Sequence, residues 1–287
     1  MIPVARRGHG RLALAGLVAA SIHASVALVA APAASGPPRG DVAEFRVPCR
    51  HQQRERRVWV YTPPGYAASR DSSFAMLLAF DGGEYLDEIP LPHILDSLIA
   101  AHAAPPMVAV LVDDSTGAVR LDDLANRAWF VAFLGDELVP WVRQHWRVTR
   151  DPHRVIVTGS SAGGLAAARV ALERPDVFGN VLSQSGAFWR GNEASNDAPY
   201  EWLTGQAGRW PHRDVRFWME VGSTETRGAL GGQAPSILAA NRALRDTLMA
   251  HGYRVTYGEV PNGVHAPESW RTRLPAGIAA LGAPVPH

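Results

Sequence analysis

Three residue types in this sequence have the chemistry for nucleophilic catalysis: a serine, Ser161, then a carboxylate, Glu225 or Glu220, then a histidine, His265. A serine hydroxyl is a weak nucleophile until a base takes its proton, and the base works best when an acid fixes its orientation. Ser161 sits in Gly159-Ser160-Ser161-Ala162-Gly163, which fits G-x-S-x-G. The pentapeptide alone is weak evidence, because glycine and serine are common. Its context is stronger. "RVIVTG" before it reads as a buried strand and "AGGLAAARVALE" after it as a helix. A strand that turns into a helix within so few atoms pushes the serine into a strained backbone conformation with its hydroxyl exposed. The plain alternative is a glycine-rich turn that binds nothing.

His265 lies in "PNGVHAPES", between the last expected strand and the last expected helix, where the base of such a site belongs. His93, His102, His145 and His153 precede the serine, His212 precedes the acid strand, and His287 is terminal. The acid should follow "RFWMEVG". Glu225, in "GSTETRG", is the first choice, and Glu220, on the strand itself, could reach if the register differs. The attacked carbonyl becomes an oxyanion and needs preorganised N–H donors. Ala162 should give one. The other should come from Gly82-Gly83, after "FAMLLAF", with Gly83 preferred over Gly82. Arg120, Arg190 and Arg227 fall in expected loops beyond strand ends and could face an anionic substrate, with Trp189 beside them. Scattered surface arginines are the simpler reading of each.

Apolar runs and helical spacings alternate from Phe74 to Leu281. "FAMLLAF", "MVAVLVD", "RVIVTG", "NVLSQSG", "VRFWMEVG" and "RVTYGEV" read as strands, most of them apolar throughout, as strands covered on both faces are. "LPHILDSLIAAH" and "APSILAANRALRDTLMAHG" have helical spacing, and "LANRAWFVAFLGDELVPWVRQHW" should be a long helix bent or broken at Pro140. "DSTGAVR" reads as a loop, and "AFWRGNEASNDAPYEWLTGQAGRWPHR" as a long loop or lid. The fold class expected is α/β: one domain, residues 44–287, with a mostly parallel sheet between helices on both faces. Ligands of such sheets bind beyond the carboxyl ends of the strands.

Composition narrows the function. The chain has 287 residues and a formal net charge of +1, which gives no field for nucleic acid or an anionic membrane. It has no lysine, so a lysine nucleophile, Schiff base or phosphate-loop residue is excluded. Its one cysteine, Cys49, excludes an internal disulfide and a cysteine-rich metal site. No H-E-x-x-H pair occurs, and no metal is expected. Residues 1–33 run basic, then apolar, then small, as a secretory signal does. Residues 34–43 read as a Pro/Gly-rich linker. An uncleaved membrane anchor is the rival; after cleavage no stable membrane insertion is expected.

With these residues placed, the sequence resembles the esterase D/enterochelin-esterase-like branch of the α/β-hydrolases, from "RRVWVYTPPGY" to the end. "FDGGEY", "FLGDELVPWVRQHWRV", "GSSAGG", "LSQSGAFW", "EVGSTE" and "LRDTLMAHGYRVTYGEVPNGVH" carry the similarity. The resemblance implies an α/β-hydrolase fold and cofactor-free hydrolysis of a small-molecule carboxylic ester. Gly263-Val264-His265-Ala266 departs from the Gly-Gly-His-acid run frequent in enterochelin-type esterases. An exported single catalytic domain is similar to the periplasmic siderophore esterases, which makes a trilactone one candidate substrate among acyl esters. Acyl transfer to an alcohol and a hydrolase-like binding protein with a dead site are the alternatives. Intact Ser161 and His265 argue against the second.

Overall fold

The computed structural model describes residues 38–70, 73–113, 117–192 and 199–283. The expected leader lies outside them. Strands β1 (Asp41–Cys49) and β2 (Arg54–Thr62) pair antiparallel, Phe45 opposite Val58. β1 thus begins within the stretch read as linker. Then follow β3 (Ala75–Ala79), β4 (Met107–Val112), β5 (Val155–Ser160), β6 (Asn180–Gln184) and β7 (Arg216–Gly222). A small hairpin, β8 (Gly228–Ala229) with β9 (Ala234–Ser236), precedes β10 (Arg254–Val260). The main sheet runs in the order β1-β2-β4-β3-β5-β6-β7-β10. β2 meets β4 antiparallel, and every pairing from β4 to β10 is parallel.

The helices are α1 (Gly82–Asp87), α2 (Leu91–Ala100), α3 (Gly117–Leu124), α4 (Ala128–Ala132), α5 (Val139–His145), α6 (Ala162–Glu173), α7 (Trp202–Ala207), α8 (Ile237–Ala250) and α9 (Pro267–Gly282). Every residue of β3, β4 and β5 is buried, because successive side chains serve opposite cores. Met76, Leu78, Val110 and Val157 pack with Leu138, Leu165 and Leu244. Leu77, Ala109 and Ile156 pack on the other side with Leu95, Leu274 and Ile278. The sheet is therefore covered on both faces, as expected.

Three local expectations fail. The stretch expected as one long helix is interrupted at residues 125–127, where Arg127 is extended, and is not broken at Pro140; α4 continues through a π-helical turn, Phe133–Leu138, into α5. Pro140 has no N–H to give and its ring crowds the carbonyl four residues back, and the turn before it widens to accommodate both. Part of "DSTGAVR" is helical, as the start of α3. Asp123 anchors that helix through two 2.7 Å hydrogen bonds from buried Arg56. The expected loop after β6 contains α7.

Candidate active site

At the carboxyl end of β5, Ser161 adopts φ 55° and ψ −117°, a backbone conformation that costs about 1–3 kcal/mol in a non-glycine residue. Three hydrogen bonds hold it there. Its N–H donates to Gln184 O at 2.9 Å, and its carbonyl accepts from Leu165 N–H at 3.1 Å and Ala187 N–H at 2.8 Å. Small neighbours let strand and helix meet so closely: a Cβ on Gly159 would stand 2.5 Å from the backbone of Gly163. Ser161 is partly exposed between buried Ser160 and Ala162.

Forty residues separate Glu225 and His265, but the loops that carry them are stitched together. Thr224 Oγ1 donates to Gly263 O at 2.6 Å, Ser223 N–H to Val260 O at 2.9 Å, and Asn262 N–H to Ser223 Oγ at 3.0 Å. A Cβ on Gly222 would strike Gly263 O at 2.2 Å, so glycine is what allows this approach. Glu225 Oε2 consequently lies 2.6 Å from His265 Nδ1. The Glu225 side chain is only 4% exposed, against 36% for His265. Of the two His265 ring nitrogens, Nδ1 is the one with a hydrogen-bond partner among the described residues. Nε2 is left for a second partner, and such bonds to a nucleophile often form only once substrate binds.

Glu220 is placed differently. It is buried on β7, where its carboxylate accepts from Gln184 Nε2 at 2.6 Å, Trp218 Nε1 at 3.3 Å and Arg273 Nε at 3.4 Å. Burial pushes its carboxyl above the ordinary range, against the pull of those donors. Of the two acids, Glu225 is the one the fold brings to the histidine.

Ala162 opens α6 and Gly83 stands in the first turn of α1, where N–H groups have no intrahelical acceptor. A Cβ on Gly83 would meet nothing within 4 Å, whereas one on Gly82 would lie 2.9 Å from the backbone of Leu111. Gly83 thus borders open space and Gly82 packs on β4. Arg120 binds Asp81 through both its Nε and its Nη2, the latter at 2.7 Å. Arg190 is buried, with its guanidinium 4.9 Å from the ring centre of Trp189, also buried. Burial and the charge of Arg120 lower the pKa of Arg190. Arg227 is exposed two residues after Glu225.

Two neighbours of this group carry no signal in the sequence pattern. Ser185 Oγ donates to Glu225 Oε1 at 2.6 Å and accepts from Trp270 Nε1 at 3.1 Å. Both contacts join separate elements, 40 and 85 residues apart, so no local spacing points to them. Sheet order does: β6 lies beside β7, so the residue after β6 must sit near the loop after β7. A cavity of about 770 Å³, lined by His102, Pro105, Asp151, His153, Arg154 and Gly282, lies instead near the amino ends of β4 and β5. No candidate site residue borders it.

A family model described as "Putative esterase" matches residues 50–281. The iron(III) enterobactin esterase of Escherichia coli K12 is 31% identical over 235 residues, 82% of this chain and 56% of that protein. The iron(III) enterobactin esterase of Dickeya dadantii is 30% identical over 79% of this chain and 52% of its own length. The chain therefore spans little more than half the length of these relatives. The enterobactin esterase of Shigella flexneri, solved in the presence of enterobactin, superposes with a TM-score of 0.72 at 27% identity, covering 85% of this chain and 60% of the other.

Proposed function

We propose that this chain, which belongs to the esterase family, is a serine hydrolase that cleaves carboxylic esters through an acyl-enzyme on Ser161. The observation that carries the reading is the 2.6 Å contact between Glu225 Oε2 and His265 Nδ1, at the same end of the sheet as a serine held at positive φ. In this reading His265 Nε2 takes the hydroxyl proton as Ser161 Oγ attacks the ester carbonyl. Glu225 accepts the Nδ1–H, fixes the tautomer and stabilises the imidazolium. The carbonyl oxygen becomes an alkoxide between the N–H groups of Ala162 and Gly83. Its collapse expels the alcohol, which leaves with the proton from His265. A water molecule then repeats the sequence and releases the acid.

For the substrate, we carry over from the relatives the class their names give, a siderophore lactone such as enterobactin. We also propose that residues 1–33 are an export signal, on their basic, apolar and small succession. The test is a substrate panel: p-nitrophenyl esters of rising chain length, feruloyl esters, acetylated sugars and catecholate trilactones, each with Ser161→Ala as control. Turnover of the trilactone by the wild type alone supports the reading. A folded protein that hydrolyses none of them and resists a fluorophosphonate probe refutes it.

A further inference from the structure

Ser185 follows β6 with φ 48° and is 2% exposed. Its N–H donates to Glu220 O at 2.7 Å, which fixes it against β7 just below the loop that carries Glu225. Its hydroxyl has a single proton. An indole N–H can only donate, so the 3.1 Å contact from Trp270 Nε1 occupies a lone pair on Ser185 Oγ. The hydroxyl proton is thereby directed to Glu225 Oε1, 2.6 Å away. The same carboxylate oxygen accepts Gly222 N–H at 2.8 Å. With Oε1 doubly occupied and the side chain buried, Oε2 is the oxygen presented to His265.

Trp270 has a second contact. Its ring stands edge-to-face with the His265 imidazole, centroids 5.2 Å apart and planes at 89°. One indole, 6% exposed at the start of α9, thus meets both partners of the pair: the acid through a hydroxyl, the base through its ring.

We infer that Ser185 and Trp270 are positioning residues for the Glu225–His265 pair, with the Trp270 N–H acting through Ser185 and the Trp270 ring acting on His265 directly. The inference rests on the esterase reading for its kinetic consequence, though not for its geometry. Ser185→Ala removes the hydroxyl donor. Trp270→Phe keeps an aromatic edge and removes the N–H. Small misplacements of this kind are costly, because catalysis depends on alignment within about an ångström.

The test uses the full chain. In Ser161→Ala protein, which cannot turn over, the low-field proton resonance of His265 Nδ1 is recorded by NMR with Ser185 intact and then replaced by Ala. In active protein, kcat and KM are measured for Ser185→Ala, Trp270→Phe and the double variant. The expected results are a shifted or broadened resonance and a kcat about 10-fold lower or more for Ser185→Ala, with KM within about twofold. The double variant should lose no more than about twofold beyond Ser185→Ala, since the indole N–H has no target once the hydroxyl is gone. An unmoved resonance, a loss carried by KM, or additive losses in the double variant overturns the inference. Inactive wild-type protein with a resonance that still depends on Ser185 would sink the esterase reading and leave the positioning role standing.

Discussion

Ser160 Oγ donates to Glu84 Oε1 at 3.1 Å, so the serine adjoining the proposed nucleophile has its hydroxyl committed elsewhere. Ser161→Ala should abolish turnover, by about 10⁶-fold in kcat if the three residues act as a unit. Ser160→Ala should cost less than about tenfold in kcat and instead lower stability by about 1 kcal/mol, because the half-buried Glu84 loses a donor. Steady-state kinetics and urea unfolding of the two variants separate the cases. Comparable kinetic losses at both positions would contradict the assigned elbow.

The two acids should divide in the same way. Glu225→Gln is expected to lower kcat/KM by about 10⁴-fold, the scale of losing the orienting carboxylate in a serine triad. Glu220→Gln should stay within about tenfold, because its carboxylate serves Gln184, Trp218 and Arg273. A reversed ranking would move the acid role to β7.

Glu220 should instead govern the pH dependence of stability. Burial raises its folded-state carboxyl pKa, so over a window the folded protein holds a proton that the unfolded chain has released. The stability this supplies is fully present below the unfolded value of about 4.3 and is lost as pH rises through the folded value. Glu84, also raised by burial and by the charge of Asp81, adds in the same direction. Urea midpoints measured from about pH 4.3 upward should fall less steeply in Glu220→Gln than in wild type. Parallel curves would show that Glu220 ionises in the fold as it does in the unfolded chain.

Away from the site, the Arg56–Asp123 pair has side chains 2% and 0% exposed. Asp123→Ala should destabilise by about 3–5 kcal/mol, because it strands a buried guanidinium. Arg56→Met combined with Asp123→Leu should recover most of that loss, since two apolar groups leave no charge behind. Chemical denaturation of the three proteins gives the comparison, and a double variant as unstable as Asp123→Ala would mean that packing sets the cost.

The sheet was legible because its strands are long apolar runs between turn residues, a signal that tertiary context reinforces. The placement of Ser161 and His265 in the loops past β5 and β10 was legible because each follows an apolar or alternating run that ends in turn residues. Other features were not. α1, "GGEYLD", is six residues with two glycines and has no period to read. The π-helical turn before Pro140 depends on how the chain absorbs one missing N–H, which composition does not state. The choice between Glu220 and Glu225 turned on which loop could touch Gly263, a contact made possible by Gly222. Ser185 and Trp270 matter through partners far away in sequence, and only the sheet order could have suggested the first of them.

Trp189 O accepts from Glu201 N–H and Arg190 O from Trp202 N–H, each at 3.1 Å, while Asn126 Nδ2 donates to Gly191 O at 2.8 Å. The chain therefore departs from the site and returns to it through the same small clasp, whose near end is tied to Ser161 O by Ala187 N–H. Doubling the length of a flexible loop costs only about 0.6 kcal/mol in closure entropy. The clasp joins residues 189–191 to residues 201 and 202, so a change of sequence or length between them need not disturb the clasp itself. Evolution, or an engineer, can rewrite the intervening sequence while the clasp keeps the Ser161 backbone where it is.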